Sequence, residues 1–312
     1  MKVCYFIQAH KNPEQVYRLV RTIKKSSPNS LVVIGYDFTN SSISMGYLQD
    51  LPGVYLLRAN FSIERGSFSI LQPYLNCINW LYSNNLNYDW LAYISGQDYP
   101  AQSLSNTESF LSKTEYDGFI EFYNVLSEQS HWSINEGLHR YFNQYYTLPR
   151  WTRKFIIRTL SIWNALPLKL DFNYELRVGV AAKKPPFNQN FICYGGNHRH
   201  FVSRKCVKYL KEFVDTNPNF VKYYKKTILP EESLVQTILV NSGKFNLFSH
   251  HKIYDDYSKC ASINGSPKTL TIEDYPKIIT GEFFFARKFE QDSEVLDMLD
   301  AIIFCNQQVI KY

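Results

Sequence analysis

Over roughly its first hundred residues the chain alternates two kinds of apolar pattern, and few architectures accept that alternation. KVCYFIQ, SLVVIGYD, GVYLLRA and DWLAYIS are short apolar runs of the kind that form strands. NPEQVYRLVRTIKK places Val16, Leu19, Val20 and Ile23 at helical spacing, and SILQPYLNCINWLYSNN is a second helical segment with Asn at its end. Strands alternating with helices predict a parallel sheet with Rossmann-like winding. Ligands of such sheets lie beyond the carboxyl ends of the strands. Those ends are Gln8-Ala9-His10, Gly35-Tyr36-Asp37 and Ser95-Gly96-Gln97-Asp98. No GxGxxG follows the first strand, so the ordinary dinucleotide fingerprint is absent.

Beyond this region, residues 120–190 are less regular and end in the loop-like AAKKPPFNQN. GGNHRHFVSRKCVKYLKEFVD reads as a turn and then a helix. PEESLVQTILVNSG reads as a helix opened by Pro230 and stopped at Gly243, and FFFARKFE as a strand before a last helix, DSEVLDMLDAI. A net charge of +6 implies mild attraction to anions, such as phosphorylated small molecules or acidic lipid. The excess is too small and dispersed to argue for nucleic acid. Six cysteines form no CxxC pair, which predicts reduced thiols in a cytoplasmic protein and gives no argument for zinc. The N-terminal apolar run is too short for a signal peptide, and no stretch suits a membrane span.

Several segments carry candidate chemistry. Pro230 leaves Glu231 and Glu232 near a helix start, where the dipole stabilises a carboxylate. That position alone explains one glutamate, while a carboxylate at the mouth of a sheet is also a ready general base. In ISGQDYP, Asp98 either closes an Asx-type turn or accepts hydrogen bonds from a ligand hydroxyl. His10 and Asp37 stand at neighbouring strand ends. In FFFARKFE, Arg287 and Lys288 follow three phenylalanines: either the strand surfaces there, or the cations await a phosphate. The pairs His198/His200 and His250/His251 are the only metal alternative, and neither has a third ligand at characteristic spacing. No Asp-x-Asp occurs, so a diphosphate leaving group would need positive charge from elsewhere.

In this order, YFIQAHKNPEQVYRLVRTI, RGSFSILQ, DWLAYISGQDYP, GGNHRHFVSRKCV, PEESLVQTILVNS, SPKTLTIEDYPKI and FFFARKFE resemble the core-2/I-branching glycosyltransferase family, which includes β-1,6-N-acetylglucosaminyltransferases and peptide O-xylosyltransferases. The resemblance implies one GT-A catalytic domain over 1–312, an α/β fold with a Rossmann-like mixed sheet flanked by helices. Residues 1–110 would form the nucleotide-sugar half, and 111–312 the acceptor and catalytic half. It implies inverting transfer from a UDP-sugar without a metal or other cofactor, with N-acetylglucosamine favoured and xylose second. Glu232 falls on the family's catalytic base, Arg287 and Lys288 on the basic pair that meets the diphosphate, and Asp98 on the donor-site acid. Gln97, His10 and Asp37 would line the nucleotide side. Where the xylosyltransferase branch has Asp-Trp this chain has His198-Arg199, and FSHHKIYDDYS replaces an Arg-aromatic run. His198, Arg199 and His250 are therefore expected near the acceptor, a glycan or lipid-linked saccharide. The rival from another class is a catalytically silent carbohydrate- or nucleotide-binding module on the same fold.

Residues 150–168, projected as one helix, place Trp151, Phe155, Ile156 and Trp163 opposite Arg153, Lys154 and Arg158, with Ile157 as the misfit. Such a helix either packs on the core or lies peripherally on the inner face of a membrane.

Overall fold

The strand alternation fixes the core. β1 (Val3–Ala9) turns Val3, Tyr5 and Ile7 to one face and Cys4 and Phe6 to the other, all fully buried. β2 (Leu31–Tyr36), β3 (Val54–Arg58) and β4 (Trp90–Ser95) run parallel to it, in the order β4-β1-β2-β3. One face is covered by α1 (Pro13–Ser26) and the C-terminal helix Glu294–Cys305. The other is covered by α2 (Gln72–Ser83) and the helices Arg204–Thr216 and Leu234–Asn241. Covering both faces is why these strands read as continuous apolar runs. Each such buried side chain contributes about 1.5–3 kcal/mol relative to exposure.

The computed structural model describes the chain except residues 60, 129–131, 160–167, 174, 259–265 and 306–312, and only the backbone of 150 and 305. Beyond β4 come β5 (Asp98–Pro100), β6 (Gly118–Ile120), β7 (Tyr123–Asn124), β8 (Asn143–Thr147), β9 (Leu168–Asp171), β10 (Arg177–Ala181) and β11 (Tyr194–Gly195). β12 (His200–Ser203), β13 (Leu247–Phe248), β14 (Ile253–Tyr254) and β15 (Phe285–Arg287) complete the set. β12 inserts antiparallel between β4 and β6, and β13 adds to β6, giving a mixed seven-stranded sheet flanked by helices. The α/β expectation is met, and strands from both sides of residue 111 share the sheet. Small sheets β8-β10-β9, β11-β7 and β14-β15-β5 lie outside it.

Four local expectations change. The segment after GGN is not turn then helix, because His200–Ser203 extends as β12 first. In residues 283–290 only Phe285–Arg287 is strand. Pro230–Glu232 is a 3-10 turn, and the α-helix begins at Leu234. No single helix runs over 150–168: it spans Arg153–Arg158, and Leu168 already belongs to β9. Residues 160–167, including Trp163, lie outside the described residues. Ile156 is buried, whereas Trp151 and Phe155, expected on the same face, are exposed together with Ile157. Cys4, Cys77, Cys193 and Cys206 are buried free thiols, and no described helix is long and apolar enough to cross a membrane.

Candidate active site

Register aligns Gln8 with both Gly35 and Ser95, so the ends of β1, β2 and β4 stand side by side. Gly96 follows because a Cβ there would meet the Ala9 Cβ at 2.9 Å and the Val16 Cγ2 at 3.0 Å. Asp98, just beyond, is fully buried. Its Oδ2 accepts from the Ser95 backbone N–H (2.8 Å) and the Arg199 Nε (3.1 Å). Its Oδ1 accepts from the Ser95 hydroxyl (2.7 Å) and the Arg287 Nε (3.0 Å). With two donors on each oxygen, Asp98 has its acceptor positions filled within the protein, two of them by the arginines it holds. Arg287 is also its cross-strand partner, since β15 pairs antiparallel with β5 at that position.

Burial first, and then the charge of Arg199, push the Arg287 guanidinium below its usual pKa. Lys288 is half-buried and makes no side-chain hydrogen bond or ion pair among the described residues. Burial and the charges of Arg287 and Lys11 lower its pKa. The cations therefore crowd one another at the strand ends, an arrangement that an anion would relieve. Gln97 turns elsewhere, with its amide on the Phe289 carbonyl (3.5 Å) and the Glu290 carboxylate (3.3 Å). Asp37 caps its own turn by accepting from the Thr39 N–H (2.9 Å) and hydroxyl (2.6 Å). His10 is exposed at the next strand end, and its pKa is lowered by partial burial and Lys11.

The second side of the site is the PEES turn. Leu229 holds a left-handed φ of +51°, which costs a branched residue about 1–3 kcal/mol. It is fixed there by its N–H on the Gly66 carbonyl (3.2 Å) and by the Tyr141 hydroxyl donating to its own carbonyl (3.1 Å). The next residues turn so that Glu231 is buried while Glu232 keeps 26% of its side chain exposed. Arg140 Nη1 donates to Glu232 Oε2 at 2.8 Å, pairs also with Glu136, and lies over the Trp132 ring at 4.2 Å. Burial raises the Glu232 pKa and the Arg140 charge opposes the rise. Burial and then the Glu232 charge raise that of Glu231, whose Oε2 is sealed without a hydrogen-bond partner.

The GGNHR loop joins the two sides. The Gly196 N–H donates to the Glu232 carbonyl (2.9 Å), and a Cβ on Gly196 would meet the Glu121 carbonyl oxygen at 2.1 Å. Asn197 donates through Nδ2 to Asp255 (3.1 Å) and receives Gln236 Nε2 on its carbonyl (2.9 Å). Arg199 then reaches Asp98. His198 stands edge-on to Tyr93 with ring centroids 5.5 Å apart, and burial and Arg199 keep it neutral. His200 belongs to the core: its ring bonds Tyr74 (2.7 Å) and the His198 carbonyl (2.8 Å), and burial pushes its pKa down to about 3. His250 accepts the Lys252 N–H (2.8 Å) and stacks on His251. Among the described residues no three His, Cys, Asp or Glu side chains converge as metal ligands.

Sequence reading missed Arg140, Asp255 and Tyr257. Asp255 sits 3.4 Å from His251; burial works to raise its pKa, but His251, Arg287 and Arg199 bring it below the usual range. Burial and then Asp255 raise the pKa of the Tyr257 hydroxyl, and the charges of Arg287, Arg199 and Glu232 also act on it. A hollow of about 620 Å³ lined by Asn12, Thr271, Glu290 and Glu294 includes none of these groups.

A family model described as Core-2/I-Branching enzyme matches residues 3–284. Xylosyltransferase oxt of Drosophila pseudoobscura pseudoobscura is 23% identical over 297 residues, covering 88% of this chain and 30% of that protein. A β-1,3-galactosyl-O-glycosyl-glycoprotein β-1,6-N-acetylglucosaminyltransferase 4 of Danio rerio is 26% identical over 105 residues, covering 32% and 24%. This chain thus spans less than a third of the length of either relative. Among solved structures, the galactosyltransferase LgtC in complex with donor and acceptor sugar analogs aligns over 96% of this chain and 95% of its own, with 9% identity and a TM-score of 0.41.

Proposed function

Because the chain belongs to the core-2/I-branching enzyme family, we propose that it is an inverting glycosyltransferase of GT-A type that moves a sugar from a UDP-sugar to a hydroxyl of a glycan or lipid-linked saccharide. The observation that carries this reading is the opposition of two groups across one short loop: the half-exposed Glu232 on Arg140, and the cations assembled on Asp98. Glu232 accepts the proton of the acceptor hydroxyl as that oxygen bonds to the anomeric carbon. The bond from that carbon to the UDP β-phosphate oxygen breaks on the opposite face, and Arg287 and Lys288 take up the charge that grows there. A divalent ion is not required in this scheme. N-acetylglucosamine is the favoured donor sugar and xylose the second.

A screen of UDP-sugars with a mixed saccharide acceptor, read by UDP release in EDTA, tests this. Release with UDP-N-acetylglucosamine in EDTA is expected. Activity only with added Mn would overturn the metal-free scheme, and UDP binding without release from any donor would leave a silent binding module.

The reading extends to where the acceptor is met. Trp151, Phe155 and Ile157 expose 81%, 63% and 51% of their surface, among the exposed cations Arg153, Lys154 and Arg158. We place this segment on an anionic lipid surface, aromatic rings at the headgroup boundary and cations on the phosphates. Flotation with vesicles containing acidic lipid should recover the protein, and the W151A/F155A double variant should not float. Absence of binding by the unaltered protein, with or without acidic lipid, removes the membrane contact.

A further inference from the structure

We propose that Arg199 is a second ligand of the donor's diphosphate, so that the anion is held by a pair of guanidiniums organised on Asp98. The inference rests on the UDP-sugar reading above and adds a residue to it. Both arginines spend only their Nε on Asp98, at 3.1 and 3.0 Å, and each takes a different carboxylate oxygen. Their side chains are more than nine-tenths buried, with 8% and 9% exposed. Their terminal nitrogens make no hydrogen bond among the described residues, yet they are not sealed off. Arg177 shows the contrast, since its Nε and Nη2 are both sealed and unsatisfied. The forks of Arg199 and Arg287 therefore keep donors that are unused and not sealed from solvent.

Charge makes the same point. Two guanidiniums share one carboxylate that Ser95 already engages twice. A second anion, Asp255, feels both arginines but lies against Asn197 (3.1 Å) and His251 (3.4 Å). Nearly buried like charges cost free energy unless an anion joins them, and planar guanidinium forks match the paired oxygens of phosphate. The second phosphate of a diphosphate presents its paired oxygens to both forks, at the strand ends where ligands of open α/β sheets bind. Arg199 arrives there because it immediately precedes β12, the antiparallel neighbour of β4. Asp98 is then a positioning residue, holding both forks at fixed orientation.

Calorimetric titration of the full chain with UDP and with UMP tests this. Arg199→Gln should weaken UDP about 10- to 100-fold, the worth of one charge-assisted contact. UMP lacks the second phosphate and should weaken far less, so the UDP-to-UMP affinity ratio falls by about tenfold or more. Arg199→Lys keeps a charge on Asp98, and with it the fold, but gives up the fork; its ratio should fall between the other two. An unchanged ratio in Arg199→Gln or, should that variant not fold, in Arg199→Lys overturns the inference and leaves the transferase reading intact. Failure of the unaltered protein to bind UDP overturns the transferase reading itself.

Discussion

Glu232→Gln is expected to lower sugar transfer by about 10²- to 10⁴-fold, the usual worth of a positioned general base, while UDP still binds. Gln keeps the side-chain volume and can still accept from Arg140, but it cannot take a proton. Turnover close to that of the unaltered chain would move the base elsewhere. The same residue sets a pH dependence. A base works deprotonated, so kcat/KM should be flat at high pH and fall as pH drops through the Glu232 pKa. Burial raises that pKa, and the Glu231 and Glu136 carboxylates also face the group, while Arg140 and Arg65 act against the rise. The acid limb should therefore lie above the ordinary carboxylate range. Removing the Arg140 charge should move it further up, and a limb that stays put in an Arg140→Met variant would contradict the assignment.

Asp98→Asn is expected to give the largest loss of stability, about 3–5 kcal/mol, because it leaves two nearly buried guanidiniums without their counter-charge. The replacement is nearly isosteric, so packing is not the cause; the amide nitrogen would also meet a donor from Ser95 and one from either Arg199 or Arg287, whichever oxygen it replaces. Urea unfolding should register the change as a lower midpoint with little change in slope. UDP should recover part of the loss, since an anion bound only by the folded chain stabilises it by mass action. A variant as stable as the unaltered protein would show that Asp98 does not hold the arginines in solution.

The residues that were legible in sequence are those whose role is local. Val16, Leu19, Val20 and Ile23 face the sheet because their spacing is set within one helix, and the apolar runs of β1, β2 and β4 follow from burial on both faces. Asp98 was visible as a polar residue at a strand end. Its partners are 101 and 189 residues away, so nothing local separates a ligand contact from a hold on two arginines. Arg140 lies 92 residues from Glu232 inside an ordinary amphipathic helix and carries no local signal. The short strands β5 and β15 exist through each other, so neither run has the length or alternation that would announce it. PEES misled because the left-handed Leu229 spends the first residues on a 3-10 turn.

The stretch from Gly196 to Arg199 behaves as a caliper. Its first jaw closes on the Glu232 carbonyl and its second on Asp98, and so few residues can span at most about 10 Å. In the proposed reaction, the separation of Glu232 from the arginines on Asp98 is thus written into a length of backbone. Inserting a single residue would open the caliper by about 3.5 Å, leaving both halves intact but out of reach of one sugar ring. Exchanging the side chain at His198 would reshape the gap without changing its width. A chain built this way can alter which sugar it fits while keeping the gauge on which transfer depends.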